Sequence, residues 1–68
     1  MDLDKEIERL TKEEEKLKKE LARSEGMLSN EKFVSRAPEA KIAEEREKLE
    51  KYRQMMAQVQ ERLAQLRK

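Results

Sequence analysis

Six basic side chains in the first third of the chain are spaced so that they could bind a row of phosphate groups. Successive members are 4, 3, 4, 3 and 4 residues apart. On an α-helix this spacing puts all of them on one side, over about 27 Å of axis at 1.5 Å per residue. Such a row can bind a nucleic-acid backbone, but it carries no group that reads bases. We call it the cationic stripe, and its members are Lys5, Arg9, Lys12, Lys16, Lys19 and Arg23.

An ordinary solvated helix face would have much the same pattern. Glu8 and Glu15 lie four residues before Lys12 and Lys19, and acid–base pairs at this spacing stabilise a helix by themselves. The formal net charge of the chain is only +1, so the overall charge predicts no polyanionic partner. The charge pattern alone therefore leaves two alternatives, an RNA-binding or other polyanion-binding surface and a plain solvated face.

Further candidates for RNA binding lie around the middle of the chain. Phe33 could stack on a base while neighbouring cations bind phosphates. Alternatively, Phe33 and Val34 fold back and cover the apolar residues Leu28 and Ile42. The additional candidates are Lys32, Phe33, Arg36, Lys41, Arg46 and Arg53.

The residues needed for catalysis are largely missing. The chain has no Cys and no His, which removes thiolate chemistry, the commonest general base and the commonest metal ligand. We find no nucleophile paired with a base and no glycine-rich phosphate loop, and a pair of helices has no cleft in which carboxylates could act. The sequence therefore predicts no catalytic residue, no metal site and no cofactor. Since no apolar run is long enough for a membrane span or a signal peptide, we expect a cytosolic location.

Two segments repeat apolar residues in the 4-3 alternation of a coiled coil. Gly26, Ser29 and Asn30 favour the end of the first segment, and Pro38 suits the first position of a second helix. We predict an all-α chain with a helix over residues 3–29, a short irregular or single-turn tip over 30–37, and a helix over 38–67. In the first helix, heptad position a holds Ile7, Glu14, Leu21 and Leu28, and position d holds Leu3, Leu10, Leu17 and Ser24. In the second helix, position a holds Ile42, Leu49, Met56 and Leu63, and position d holds Glu45, Tyr52, Val59 and Leu66.

Two long helices joined by a short tip are expected to form an antiparallel coiled-coil hairpin. We predict that each a faces an a and each d faces a d, in the layers Leu28–Ile42, Ser24–Glu45, Leu21–Leu49, Leu17–Tyr52, Glu14–Met56, Leu10–Val59, Ile7–Leu63 and Leu3–Leu66. The same alignment predicts the flanking ion pairs Glu20–Lys48, Glu6–Arg62, Glu25–Arg46 and Asp4–Arg67. It also puts Lys18 beside Arg53, next to Glu14. Glu14 is then either shared by the two cations or leaves them free to bind an anion.

The segment between the helices resembles that of a known family. It contains Leu28, Asn30, Phe33, Val34, Ala37 and Pro38 in the order L-x-N-x-x-F-V-x-x-A-P, between heptads rich in Lys, Glu and Leu. This arrangement resembles the C-terminal arm of bacterial valyl-tRNA synthetases, and the resemblance covers essentially the whole chain. The tip motif is fairly specific, whereas the heptads would match any coiled coil.

The resemblance implies a non-catalytic appendage that binds tRNA, in this case valine-specific tRNA. In the family, the hairpin reaches from the enzyme body to the outer corner of the L-shaped tRNA, where the D and T loops meet. It holds the tRNA during aminoacylation, while ATP, valine, zinc where present, and editing belong to the body. The expected partners are therefore tRNA and the remainder of the parent synthetase, and we expect the arm to be a monomer.

Two other functions remain open. The chain could be a structural or protein-binding coiled-coil hairpin of another multidomain protein, which would bind through an apolar tip and be insensitive to salt. It could also pair with a second hairpin in a four-helix bundle. The polar outer positions make this third alternative the least favoured, because a bundle needs a second apolar stripe.

Overall fold

The structure is a computed structural model, and it describes residues 2–67. The chain forms three helices, α1 over Leu3–Ser29, α2 over Glu31–Arg36 and α3 over Glu39–Leu66. They make a rod with principal dimensions of 49 × 16 × 14 Å. Because a helix of 27 or 28 residues is about 40 Å long, α1 and α3 lie side by side along the rod. The prediction of an all-α chain with two long helices is confirmed.

The helix boundaries follow from local capping. Asp2 accepts hydrogen bonds from the backbone N–H groups of Asp4 and Lys5 at 3.1 and 3.3 Å, which caps α1. Asn30 has an extended backbone and ends α1, and its side chain accepts the Lys32 N–H at 3.0 Å at the start of α2. One residue therefore ends one helix and starts the next. Pro38 precedes α3 with an extended backbone (φ −60°, ψ 148°), so it is the N-cap and not the first helical residue that the sequence predicted.

The deepest residues of the rod come from the predicted seams. Leu10, Leu17, Met56 and Leu63 are its buried apolar residues, between 2% and 7% exposed. The seam also contains a buried polar pair, in which the Ser24 hydroxyl donates a hydrogen bond to Glu45 Oε1 at 3.1 Å. The predicted Ser24–Glu45 layer is therefore confirmed.

The side-chain partners on one flank of the helices differ from the prediction. Glu25 pairs with Arg53 at 3.8 Å instead of Arg46. Arg67 donates a hydrogen bond at 3.2 Å to Thr11, one heptad away from the predicted partner Asp4.

The burial pattern shows which seam residues lie deepest. The most buried apolar residues of α1, Leu10 and Leu17, occupy heptad position d, and those of α3, Met56 and Leu63, occupy position a. The Ser24–Glu45 hydrogen bond agrees with the predicted register, so we attribute the different partners on the flank to the long arginine side chains, which reach carboxylates and hydroxyls further along the rod.

Candidate nucleic-acid interface

The cationic stripe is fully formed on the outer side of α1. All six of its residues are exposed. The side chains of Arg9, Lys12 and Arg23 are 63%, 74% and 56% accessible. The buried residues of the same helix, Leu10, Leu17 and Ser24, occupy the opposite side. The stripe is therefore a continuous cationic surface along most of the helix.

Three stripe residues make ion pairs with acids on the same helix. Arg9 pairs with Glu6, Lys12 with Glu8 at 3.2 Å, and Arg23 with Glu20 at 3.1 Å. The predicted Glu8–Lys12 pair is thus confirmed. Glu6 and Glu20 pair with arginines of their own helix, while Arg62, the predicted neighbour of Glu6, lies close enough for its charge to lower the pKa of Glu6. These exposed pairs are weak, so a phosphate can replace the carboxylate.

Hydrogen bonding changes the ionisation of these groups. The hydrogen bond from Arg9 lowers the pKa of Glu6 below its ordinary value, with smaller contributions from the charges of Arg9 and Arg62. The same bond raises the pKa of Arg9, and the bond to Glu20 raises the pKa of Arg23. Both guanidinium groups therefore stay charged at any physiological pH.

The other three stripe residues are not paired with acidic side chains in the described part of the chain. Within residues 2–67, Lys5, Lys16 and Lys19 make no ion pair closer than 4.0 Å, so the predicted Glu15–Lys19 pair is absent from this part of the chain. Lys16 and Lys19 lie next to each other at the centre of the stripe, three residues apart. Their ammonium groups can bind phosphate without first releasing a carboxylate.

The outer face of α3 has a different composition. Its corresponding heptad positions, c and f from residue 44 onward, hold Glu44, Glu47, Lys51, Gln54, Gln58, Glu61 and Gln65, all exposed. A single cation, three acids and three amides cannot form a phosphate-binding row. The outer c and f positions are therefore cationic on α1 and acidic to neutral on α3.

The candidate residues at the tip differ in how exposed they are. Lys32 and Arg36 are exposed on α2, and Phe33 is half-buried. Val34 is 37% exposed and lines a recess together with Ile42, so it covers that residue only in part. Lys41 is exposed and lies 3.9 Å from Glu44.

Sequence reasoning missed a shallow recess near the tip. It is lined by Val34, Glu39, Ile42, Ala43 and Arg46, so the candidate Arg46 lies at its edge. The four α3 residues share one helix face, because they are three, one and three residues apart. The sequence therefore could have predicted the α3 side of the recess from this spacing. It could not have predicted that Val34 of α2 completes the recess.

The flanking candidate Arg53 is partly neutralised. Its guanidinium faces Glu25 at 3.8 Å, whereas the sequence pattern put Glu14 beside it. Glu14 is half-buried in the seam, and Lys18 is exposed nearby on α1. The Arg53 side chain is 56% accessible, so it remains available to an anion.

The described helices offer neither a metal-binding cluster nor a membrane span. Over residues 2–67, there is no group of three or more acids that could hold a metal ion. Within the same range, no helix is both long and apolar enough to cross a bilayer.

Comparison with known proteins decides the family. Residues 2–67 match the sequence model of a family described as the valyl tRNA synthetase tRNA binding arm. The chain belongs to this family. The match covers all three helices, so the tip motif and both heptad segments lie inside it. The predicted resemblance to the tRNA-binding arm of valyl-tRNA synthetases is confirmed.

Curated relatives agree with the family match. The chain is 51% identical over 67 residues to a valine–tRNA ligase of Clostridium acetobutylicum, which covers 98% of the chain and 8% of the ligase. It is 54% identical over 63 residues to the ligase of Clostridium perfringens, covering 93% of the chain and 7% of the ligase. The ligase of Francisella tularensis is 50% identical over 62 residues. The chain thus spans less than a tenth of the length of these relatives. No solved structure matches the chain.

In this tRNA-binding arm, the tip motif has a structural explanation. Asn30 caps α2 through its side chain, and the Ala37 N–H donates to the Phe33 carbonyl at 2.8 Å to end that helix. Pro38 then starts α3, with its carbonyl accepting the Ile42 N–H at 3.2 Å. The motif residues that gave the resemblance therefore shape the connection between the arm's two long helices.

Proposed function

We propose that this chain is the antiparallel coiled-coil arm of a valine–tRNA ligase, and that it holds valine-specific tRNA by its outer corner, where the D and T loops meet. The antiparallel course is supported by contacts near both ends. Ser24, late in α1, bonds to Glu45, early in α3. Thr11, early in α1, bonds to Arg67, just after α3.

The tRNA-binding surface is supported by a difference in charge between the outer faces of α1 and α3. Six exposed cations lie on α1, and one lies at the corresponding positions of α3. A coiled coil gains no stability from having six of these seven outer cations on one helix, whereas a phosphate backbone is attracted to such a surface. The stripe is therefore the contact surface of the proposal, with Lys32 and Arg36 extending it at the tip.

In this proposal the arm positions the tRNA and does no chemistry. Its cations bind phosphates and leave the bases unread, so specificity and aminoacylation belong to the remainder of the parent ligase. The arm raises the effective concentration of the tRNA at that body, and its own affinity can be modest. A cytosolic location and a monomeric arm belong to the same proposal, and sedimentation over a range of concentrations tests the latter.

The test compares two double variants of the chain that each remove two positive charges. Lys16→Gln with Lys19→Gln removes two cations of the stripe, and Lys48→Gln with Lys51→Gln removes two cations at the same spacing from α3. Binding to a labelled valine-specific tRNA is titrated at two or more salt concentrations. The stripe variant should bind more weakly, with a salt slope smaller by roughly 0.7 to 0.9 for each phosphate that is no longer neutralised.

A tRNA that lacks its D and T loops is the control for the elbow. Binding should vanish with this RNA if the outer corner is the contact. If both double variants weakened tRNA binding equally, the chain would act as a nonspecific polycation, and the stripe would not be the contact surface. Binding that ignores the loops would reject the elbow.

A protein-binding hairpin is the second candidate function. It is favoured by the recess at the tip, where Val34 is 37% exposed beside Ile42 and Ala43, and where Glu39 and Arg46 complete the lining. A partner held mainly by the three apolar side chains would dissociate little at higher salt. No binding of tRNA at high micromolar protein, together with a salt-insensitive protein partner, would favour this function over the tRNA-binding arm.

A further inference from the structure

Acidic side chains border the cationic stripe on both sides. On the side next to α3 lie Glu6, Glu13 and Glu20, at heptad position g, and all three are half-buried. On the solvent side lie Glu8 and Glu15, at position b, both exposed. We call these the inner and outer acid rows. The ion pairs of the stripe reach in both directions, from Arg9 to the inner row and from Lys12 to the outer row.

The two acid rows limit the width of the stripe. At 100° per residue, positions b and g are about 140° apart around the side of the helix that carries positions c and f. On a helix roughly 11 Å across with its side chains, this arc is about 13 Å wide. The stripe is therefore narrow, but it is about 27 Å long. A polyanion that extends beyond this width meets carboxylates.

From this shape we infer that the stripe binds one continuous strand of RNA, which runs parallel to the axis of α1, and that it does not bridge the two strands of a duplex. The inference rests on the proposed function, since it takes RNA as the ligand. In a duplex, the phosphates of the second strand would lie beyond the stripe, opposite Glu8 and Glu15 or opposite the inner row. Like charges at this distance oppose binding.

The spacing of the cations agrees with a parallel strand. Neighbouring cations are three or four residues apart, which is about 4.5 to 6 Å along the axis. This is comparable to the separation of successive phosphates in an extended strand, so each cation can serve a phosphate. A strand that crosses α1 at right angles would reach an acid row after one or two nucleotides.

Site-directed cleavage tests the direction of the strand. Because the chain has no Cys, Glu8→Cys and Ala22→Cys each provide a unique attachment point for an iron–EDTA group. Both residues are exposed at heptad position b, and they are about 21 Å apart along α1. Each labelled protein is bound to valine-specific tRNA, and the cleaved nucleotides are mapped.

The expected result is two cleavage centres on one strand, several nucleotides apart, in the same order as the labels. Cleavage by both labels at the same nucleotide would mean that the strand crosses the helix and would overturn the inference. Cleavage on both strands of a paired region by either label would also overturn it. In these two cases the stripe variants Lys16→Gln and Lys19→Gln still weaken tRNA binding, so the proposed function survives. If those variants bind tRNA like the unmodified chain, the proposed function itself has failed.

Neutralising the outer acid row provides a second test. Glu8→Gln with Glu15→Gln should strengthen binding to a fully paired RNA hairpin by up to about fivefold, and should strengthen binding to a single-stranded oligonucleotide less. Glu47→Gln with Glu61→Gln makes the same change of charge on the outer face of α3 and should favour neither RNA. An equal gain for both RNAs with the outer-row variant would show that the row does not discriminate strands, against the inference.

Discussion

The seam between α1 and α3 and the outer face of α1 both contain charged residues, but these residues have opposite surroundings. In the seam, Glu45 is 4% exposed and accepts a hydrogen bond from the fully buried Ser24. On the outer face, the side chain of Glu8 is 64% accessible, and its carboxylate lies 3.2 Å from Lys12, whose side chain is 74% accessible. A buried polar group is costly without its partner, whereas an exposed ion pair contributes little. We therefore expect substitutions in the seam to change stability and substitutions on the outer face to change RNA binding.

Reversing charges at the centre of the stripe should have the largest effect. Lys16→Glu with Lys19→Glu replaces two cations by anions, and the affinity for valine-specific tRNA should fall about a hundredfold at low salt. The melting temperature should change little, because both side chains are exposed. Filter binding and circular dichroism measure the two quantities. The same reversal at Lys48 and Lys51 is the control, and a comparable loss of affinity there would remove the distinction between the two outer faces.

Ser24→Ala should have the next largest effect, and on stability only. It removes the hydrogen bond to Glu45, and the buried carboxylate then lacks this donor at a cost of about 1–3 kcal/mol. For a chain of this size, each kcal/mol lowers the melting temperature by roughly 4–8 °C. Ser29→Ala, at an exposed serine of the same helix, should have little effect. Equal melting temperatures for the two variants would mean that the buried pair does not contribute to stability, and tRNA affinity well below the transition should be the same for both.

Glu14→Leu should raise stability by about 1 kcal/mol. Glu14 is half-buried at a seam position where the heptad pattern calls for an apolar residue, and a leucine there removes more apolar surface from water. The neighbouring Glu15 is exposed on the outer side, so Glu15→Leu should give no such gain. A thermal melt compares them. If Glu14→Leu were no more stable than Glu15→Leu, residue 14 would not belong to the seam.

The smallest effect is expected at Glu6, between the two regions. Its pKa is lowered mainly by the hydrogen bond from Arg9. A carboxyl with a lower pKa in the folded state stabilises the fold above its ordinary pKa of 4.5, and this contribution is lost as the pH falls through the lower, folded value. Below that pH the melting temperature should therefore fall slightly more in the unmodified chain than in Glu6→Gln. In an Arg9→Gln background the difference should shrink to the smaller contribution of Arg62, and an undiminished difference would show that Arg9 is not the main cause.

Most of the fold could be predicted from the heptad periodicity and the helix-capping residues. The 4-3 spacing of leucines predicted both long helices, and Asn30 and Pro38 lie where the helices end and begin. The Ser24–Glu45 layer also followed from spacing alone. These features depend on interactions within a few residues or on a repeat that extends over a whole helix, so that the sequence contains enough information to predict them.

The flanking partners and the tip could not be predicted in the same way. An arginine side chain can reach carboxylates a heptad apart, so heptad spacing alone does not decide that Arg53 pairs with Glu25. The exposure of Val34 depends on the direction in which α2 leaves α1, which one extended residue, Asn30, determines. The stripe was predicted as a row of cations. Which of these cations pair with acids depends on side-chain conformations, and residue spacing alone does not predict them.

The heptad seam of the rod also has a consequence for its reach. Since the packing of α1 on α3 repeats every seven residues, the arm can be lengthened or shortened without mispacking only by adding or removing one heptad from each helix at once. Such a paired change moves the tip by about 10.5 Å. The distance from base to tip therefore varies in discrete steps, and a ligase that needs a slightly different span has to obtain it by tilting the whole rod.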